Sequence, residues 1–148
     1  MKWLLDTNVV SEGMRARPSR SVIEWLRAKP IEDLAISIVT WAELYEGAQS
    51  NPDEGRRRKL TAWVETEVSS TFRERTLALT GNILVEWLQL SRKLRAKGTV
   101  RDAADLLLAA TARVHALTLV TRNARHFADT GVVVYDPWND QTEVMDAP

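Results

Sequence analysis

A chain of 148 residues with 45% hydrophobic content can bury a core of its own without disulfides or a structural metal. It has no cysteine, which excludes thiolate zinc sites, disulfide frameworks and cysteine nucleophiles and fits a reducing compartment. Twenty basic residues balance 20 acidic ones, so no global positive field draws in a polyanion, and any nucleic-acid site has to be local.

The chain opens Met1-Lys2-Trp3-Leu4-Leu5-Asp6, an apolar run too short for a signal peptide. No later stretch approaches the roughly 20 apolar residues that span a bilayer, and a cytoplasmic location is expected. Lys2 to Leu5 reads as a buried strand that stops at Asp6-Thr7-Asn8, side chains that favour turns and helix caps. A helix over Arg20 to Lys29 follows, with Val22, Ile23, Trp25 and Leu26 at helical spacing and Pro30 closing it. Leu34 to Val39 is the second strand. Thr40-Trp41-Ala42-Glu43 has the Ser/Thr-x-x-Glu form of a capping box, which puts Glu43 in the first turn of a helix ending near Asn51-Pro52.

Asp53 to Ser70 reads as another amphipathic helix, with Leu60, Trp63, Val64 and Val68 inward; Thr76 to Leu79 is a short strand, and Gly81 to Lys97 a strongly periodic helix. Thr99-Val100-Arg101-Asp102 resembles a second capping box, opening a helix through Leu106 to Ala110 with Asp105 one turn in. Leu117 to Val120 is a strand, Asn123 to Phe127 a helical turn, and Val132 to Tyr135 the final strand. Residues 1–140 are expected to form a single domain and 141–148 a frayed tail.

Strands alternating with helices imply a parallel sheet covered on both faces, with the ligand site outside the carboxyl ends of the strands. Asp6, Glu43 and Asp105 all fall at that end. Carboxylates gathered there repel one another unless a cation neutralises them, and such hard oxygen ligands suit Mg2+ or Mn2+. Taken singly, each has a structural reading: Asp6 as a cap, Glu43 as the partner in its capping box, Asp105 as a solvated charge beside the capping box of Thr99 and Asp102. Other chemistries have less support. His115 and His126 lack zinc spacing, and there is neither a nucleophile elbow nor a Gly-rich phosphate loop. An aspartyl-nucleophile phosphatase would place a second Asp where this chain has Asn8.

Basic residues cluster at Arg56 to Lys59, at Arg92, Lys93, Arg95, Lys97 and Arg101, and at Arg122 with Arg125; a solvated helix face is the default reading of each. Of the six tryptophans, Trp25, Trp41, Trp63 and Trp87 fall on predicted helices, where large aromatics serve the core or anchor an interface.

Four segments in order carry a resemblance: Leu4-Leu5-Asp6-Thr7-Asn8; Ala42-Glu43-Leu44 with Gly47; Ala104-Asp105 followed by Leu108 to Ala112; and Thr121-Arg122-Asn123. The sequence resembles PIN-domain ribonucleases, in particular VapC-type toxins of bacterial toxin–antitoxin pairs. The closing Tyr135-Asp136-Pro137-Trp138-Asn139-Asp140 resembles the tail of a subgroup of them. The resemblance implies a three-layer α/β/α sandwich with a central parallel sheet, metal-dependent cleavage of single-stranded RNA with Mg2+ or Mn2+, and inhibition by a cognate antitoxin. A homodimer or larger toxin–antitoxin assembly is also implied. Asp6, Glu43 and Asp105 match the family's acidic ligands. The fourth acidic position of many members is Asn123 here, a candidate catalytic residue that can hold a water or accept one metal bond, and the one feature that points to the rival reading, a catalytically impaired binding module. Arg122 is a candidate contact to substrate phosphate, with a salt bridge to a neighbouring acid as the alternative.

Overall fold

The computed structural model describes residues 1–148. Its strands are β1 (Trp3–Leu5), β2 (Leu34–Ser37), β3 (Thr76–Leu77), β4 (Thr118–Val120), β5 (Val133–Asp136) and β6 (Gln141–Val144). They form one sheet in the order β3-β2-β1-β4-β5-β6, parallel throughout except for β6. The helices are α1 (Thr7–Val10), α2 (Arg20–Ala28), α3 (Ile38–Gln49), α4 (Glu54–Trp63), α5 (Ser69–Thr71), α6 (Gly81–Ala96) and α7 (Ala103–Val114).

The strands are apolar and short because both their faces are covered. Successive residues alternate between two cores: Leu4, Ala35, Leu119 and Val134 pack with Ile83, Leu90, Leu108 and Phe127 on one face. Leu5, Ile36 and Val120 pack with Val9, Val22, Leu44, Val64 and Phe72 on the other. That period of two, with helices on each side, is the expected three-layer sandwich. Pairing of Leu5 with both Ile36 and Val120 brings β1, β2 and β4 to an end at one level. Asp6, Ser37 and Thr121 therefore leave the sheet side by side.

Three local expectations are corrected. The second strand ends at Ser37 rather than Val39, because Ser37 caps α3, its hydroxyl accepting from Val39 N at 3.1 Å. The β-branched Ile38-Val39-Thr40 run reads as strand by propensity, but the cap and a Thr40 hydroxyl bond to Leu5 O at 3.3 Å override it. Thr40 and Glu43 consequently form no capping box. In the same way Asp102 is itself the cap of α7, its carboxylate accepting from Ala104 N and Asp105 N. Thr99 instead closes α6: its N–H bonds Leu94 O and that of Gly98 bonds Arg95 O, both at 2.9 Å, with Gly98 left-handed at φ 76°.

The third correction concerns the tail, which is ordered as β6 against β5; Met145 is buried and its N–H bonds Val132 O at 2.8 Å. Because the β6 side chains are all exposed, no apolar pattern announces the strand. The expected helix over Asp53 to Ser70 is present as α4 and α5 joined by a π turn over Val64–Val68. There Ser69 Oγ donates to Val64 O and accepts from Trp41 Nε1, which ties this layer to α3.

Candidate active site

Asp6 is held where β1 stops and α1 starts. Its N–H continues the ladder to Val120 O, and its carboxylate accepts from Thr7 N at 2.7 Å, Thr121 Oγ1 at 2.7 Å and Asn8 Nδ2 at 3.2 Å. Only 7% of it is exposed. Burial raises its pKa above the usual carboxylate value, outweighing all three donors. Asn8 also donates to Thr121 Oγ1 and accepts from Arg122 N, so it stitches β1 to the loop after β4. A donor at this position cannot serve as the second carboxylate of a phosphatase.

Glu43 lies in the second turn of α3 and reaches Asp6 through Thr7, whose hydroxyl donates to Glu43 Oε2 at 2.5 Å. Although solvent reaches its outer side, desolvation on the crevice side and the charges of Asp6 and Asp105 raise its pKa against that hydrogen bond. Asp105, in the first turn of α7, is half-buried and shifted upward by desolvation and by Asp6 and Asp102. His126 Nδ1, 3.3 Å from Asp105 Oδ2, opposes the shift. The three acids thus share one electrostatic crevice.

Asn123 begins the 3-10 turn Ala124–Phe127, exposed beside the crevice, with its N–H bonded to Thr121 Oγ1. Arg122 makes no salt bridge; its guanidinium lies 5.4 Å from the centre of the Trp138 ring. The sequence reading had not assigned Thr7, Thr121 or His126 to the site. The Thr-Arg-Asn triplet marks Thr121, whereas His126 reaches Asp105 only through the 3-10 turn, for which a lone histidine gives no spacing signal.

The donors are hard oxygens on elements with fixed ends, and their mutual repulsion is the condition a divalent cation relieves. No three acidic or histidine side chains lie close enough together to hold a metal ion among themselves; Mg2+, which keeps several waters and takes one or two carboxylates, does not require such a group.

A small α/β domain with an acidic, hard-oxygen crevice at the carboxyl edge of its sheet is the class that fold and site define. The chain belongs to the PIN domain family, which it matches over residues 3–133. It is 34% identical over 137 residues to toxin FitB of Neisseria gonorrhoeae, covering 93% of this chain and 99% of that protein. It is also 34% identical over 135 residues to VapC ribonuclease Y4jK of Sinorhizobium fredii, covering 91% and 96%. The crystal structure of FitAcB from Neisseria gonorrhoeae superposes with a TM-score of 0.86 at 33% identity, over 92% of this chain and 98% of that one.

Proposed function

We propose that this PIN domain is a divalent-metal-dependent endoribonuclease acting as the toxin of a toxin–antitoxin pair, with single-stranded RNA as substrate and a cognate antitoxin as partner. The observation that carries it is the electrostatic coupling of Asp6, Glu43 and Asp105 just past the carboxyl ends of the strands: burial raises the pKa of each, Asp6 and Asp105 raise that of Glu43 further, and Asp6 that of Asp105. The toxin and ribonuclease names of its relatives support the biological setting. No helix is long and apolar enough to cross a membrane.

Asp6 and Asp105 would hold Mg2+ or Mn2+, with Glu43 as a further ligand or as the group that orients the attacking water. When bound, the cation supplies charge neutralisation and polarisation at the scissile phosphoryl group. The chain's own residues do the positioning. Thr7 N–H and Thr121 Oγ1 fix the Asp6 carboxylate, Thr7 Oγ1 fixes that of Glu43, and His126 steadies Asp105. Asn123, neutral where many members of the family carry an acid, can hold a water or offer one weak oxygen ligand. Arg122, supported on Trp138 and free of carboxylates, presents a guanidinium to an incoming phosphate.

The test is cleavage of a single-stranded RNA across Mg2+ and Mn2+ titrations, with Asp6→Asn alongside. Cleavage that requires the cation and disappears in the variant is expected. RNA binding without cleavage at any metal concentration would identify the impaired binding module instead.

A further inference from the structure

Two buried side-chain nitrogens in the whole protein have no acceptor, Trp87 Nε1 and Arg101 Nε. Trp87 and Arg101 are both among the residues that line one cavity. It measures about 70 Å3, lies between the end of α6 and the start of α7, and is otherwise bordered on its polar side by Ser91, Arg95 and Thr99. An adjoining cleft of about 380 Å3 shares Trp87, Ser91 and Arg95 and adds Arg92. No carboxylate borders either space, and none of Arg92, Lys93, Arg95, Lys97 or Arg101 forms an ion pair.

Leaving a buried N–H without an acceptor is destabilising, so two on residues that line one cavity mark a place arranged to receive an acceptor. The surrounding charge gives its sign. Free guanidinium groups and the amino end of the 12-residue α7, which starts at Ala103 on the cavity wall, favour an anion. Position gives its source. Arg101 donates through its two terminal nitrogens to Arg125 O and Ala128 O, the carbonyls flanking His126, which in turn contacts Asp105. Ala103 and Leu106, also on the wall, bracket Asp105 in the first turn of α7. The cavity therefore adjoins the acidic crevice across that turn.

We infer that the Trp87–Arg95–Arg101 cavity is a phosphate-binding subsite, which holds a backbone phosphate of the substrate strand away from the scissile one. The basic run on α6, otherwise a solvated helix face, becomes the outer part of the strand's track, with Arg92 next along the cleft. The inference rests on the ribonuclease reading of the acidic crevice.

The experiment uses full-length protein carrying Asp6→Asn, so that RNA is bound but not cut. Affinity for a labelled single-stranded RNA of about 15 nucleotides is measured as a function of salt. Trp87→Phe and Arg95→Gln are added separately, and wild-type cleavage of the same RNA runs in parallel. Arg95→Gln should weaken binding about tenfold and reduce the slope of log affinity against log salt by about 0.7, the loss of one phosphate contact on a single strand. Trp87→Phe keeps the packing and removes only the neutral donor, so affinity should fall severalfold with the slope unchanged. Melting temperatures confirm that both variants are folded.

A Trp87→Phe protein that is equally or more stable and binds RNA as tightly as its parent would show an N–H merely left unpaired, and would overturn the subsite. Loss of affinity for duplex DNA alone would also overturn it. If wild-type protein cleaves the RNA while both variants bind normally, only the subsite falls. If wild-type protein neither binds nor cleaves RNA, the ribonuclease reading falls and the subsite with it.

Discussion

The two ends of the sheet, joined by α7, treat charge in opposite ways. At the amino end, a cavity of about 500 Å3, far larger than the phosphate cavity, opens among Ala112, Leu117, Thr118 and Val132. Its charged groups are satisfied: Arg113 Nε meets Glu86 Oε1 at 2.5 Å, and Arg113 Nη1 donates to Thr130 O at 2.8 Å. Gly131 sits against that guanidinium with φ 74°, and a Cβ there would run into Arg113. At the carboxyl end the acids are left facing one another, with His126 as their one basic contact. Volume is therefore a poor guide to chemistry in this fold. The charged groups of the larger cavity are paired, whereas those of the acidic crevice are left largely to one another.

The largest difference between the ends should appear on removing one carboxylate from the crevice. Asp6→Asn keeps an oxygen for Thr7 N, and cleavage should drop more than about 100-fold, as loss of a metal ligand exceeds the 10–100-fold typical of its supporting shell. The metal-free variant should melt no lower than wild type, since a desolvated charge among like charges is gone. Full activity would remove Asp6 from the reaction. Glu43→Gln comes next. As Ser37 caps α3, Glu43 has no capping duty, and the Gln variant should match wild type in stability while losing at least about tenfold in kcat. An active Glu43→Gln enzyme would leave the chemistry to the two aspartates alone.

Much of this was legible in the sequence, for reasons that differ by element. Asp6 announced itself because an apolar strand must end in a polar cap, and the position of that cap coincides with the site. Asp105 stands beside the Ala-rich run that packs on the sheet, whereas Asp102 is taken up by the cap of α7. Glu43 stands out as an acid shortly after the second strand; the capping box suggested by its spacing from Thr40 is absent, and its actual tie is to Thr7, 36 residues away. Contacts at that range, such as Thr121 to Asp6 and Asn8 across 115 and 113 residues, depend on strand register, which a single sequence leaves implicit. The ordered tail was missed because an exposed edge strand needs only backbone pairing, and Arg122 on Trp138 because a cation over a ring has no spacing rule.

At the amino end the expected outcome is reversed. Arg113→Met keeps the stem of the side chain but leaves the partly buried Glu86 and the Thr130 carbonyl without their donor, at a cost of about 1–3 kcal/mol in stability. Cleavage per folded molecule should stay at the wild-type level. A loss of kcat comparable to that of Glu43→Gln, measured well below the melting temperature, would mean that α7 transmits strain between its two ends and that the two ends of the sheet are not independent.

The smallest effect is on the pH dependence of the metal-free protein, where the sign is informative. Asp6, Glu43 and Asp105 are all raised above their ordinary values, 3.8 for the aspartates and 4.5 for Glu43. Between those values and the raised ones, the folded state binds more protons than the unfolded chain, so stability rises as pH falls. The gain is complete once pH is below the ordinary values, and it is opposite to the behaviour of a carboxylate held by a salt bridge. The difference in melting temperature between wild type and Asp6→Asn in chelator isolates the contribution of Asp6 from the other titrating groups. The variant's advantage, on the order of a few degrees at neutral pH, should shrink toward low pH as wild-type Asp6 takes up its proton. Added Mg2+ should work the other way, stabilising wild type most at neutral pH and losing its effect as protons displace it. Parallel melting curves for the two proteins from pH 7 to 4, in chelator and in Mg2+ alike, would mean that the Asp6 carboxylate is neither penalised by burial nor available to a cation.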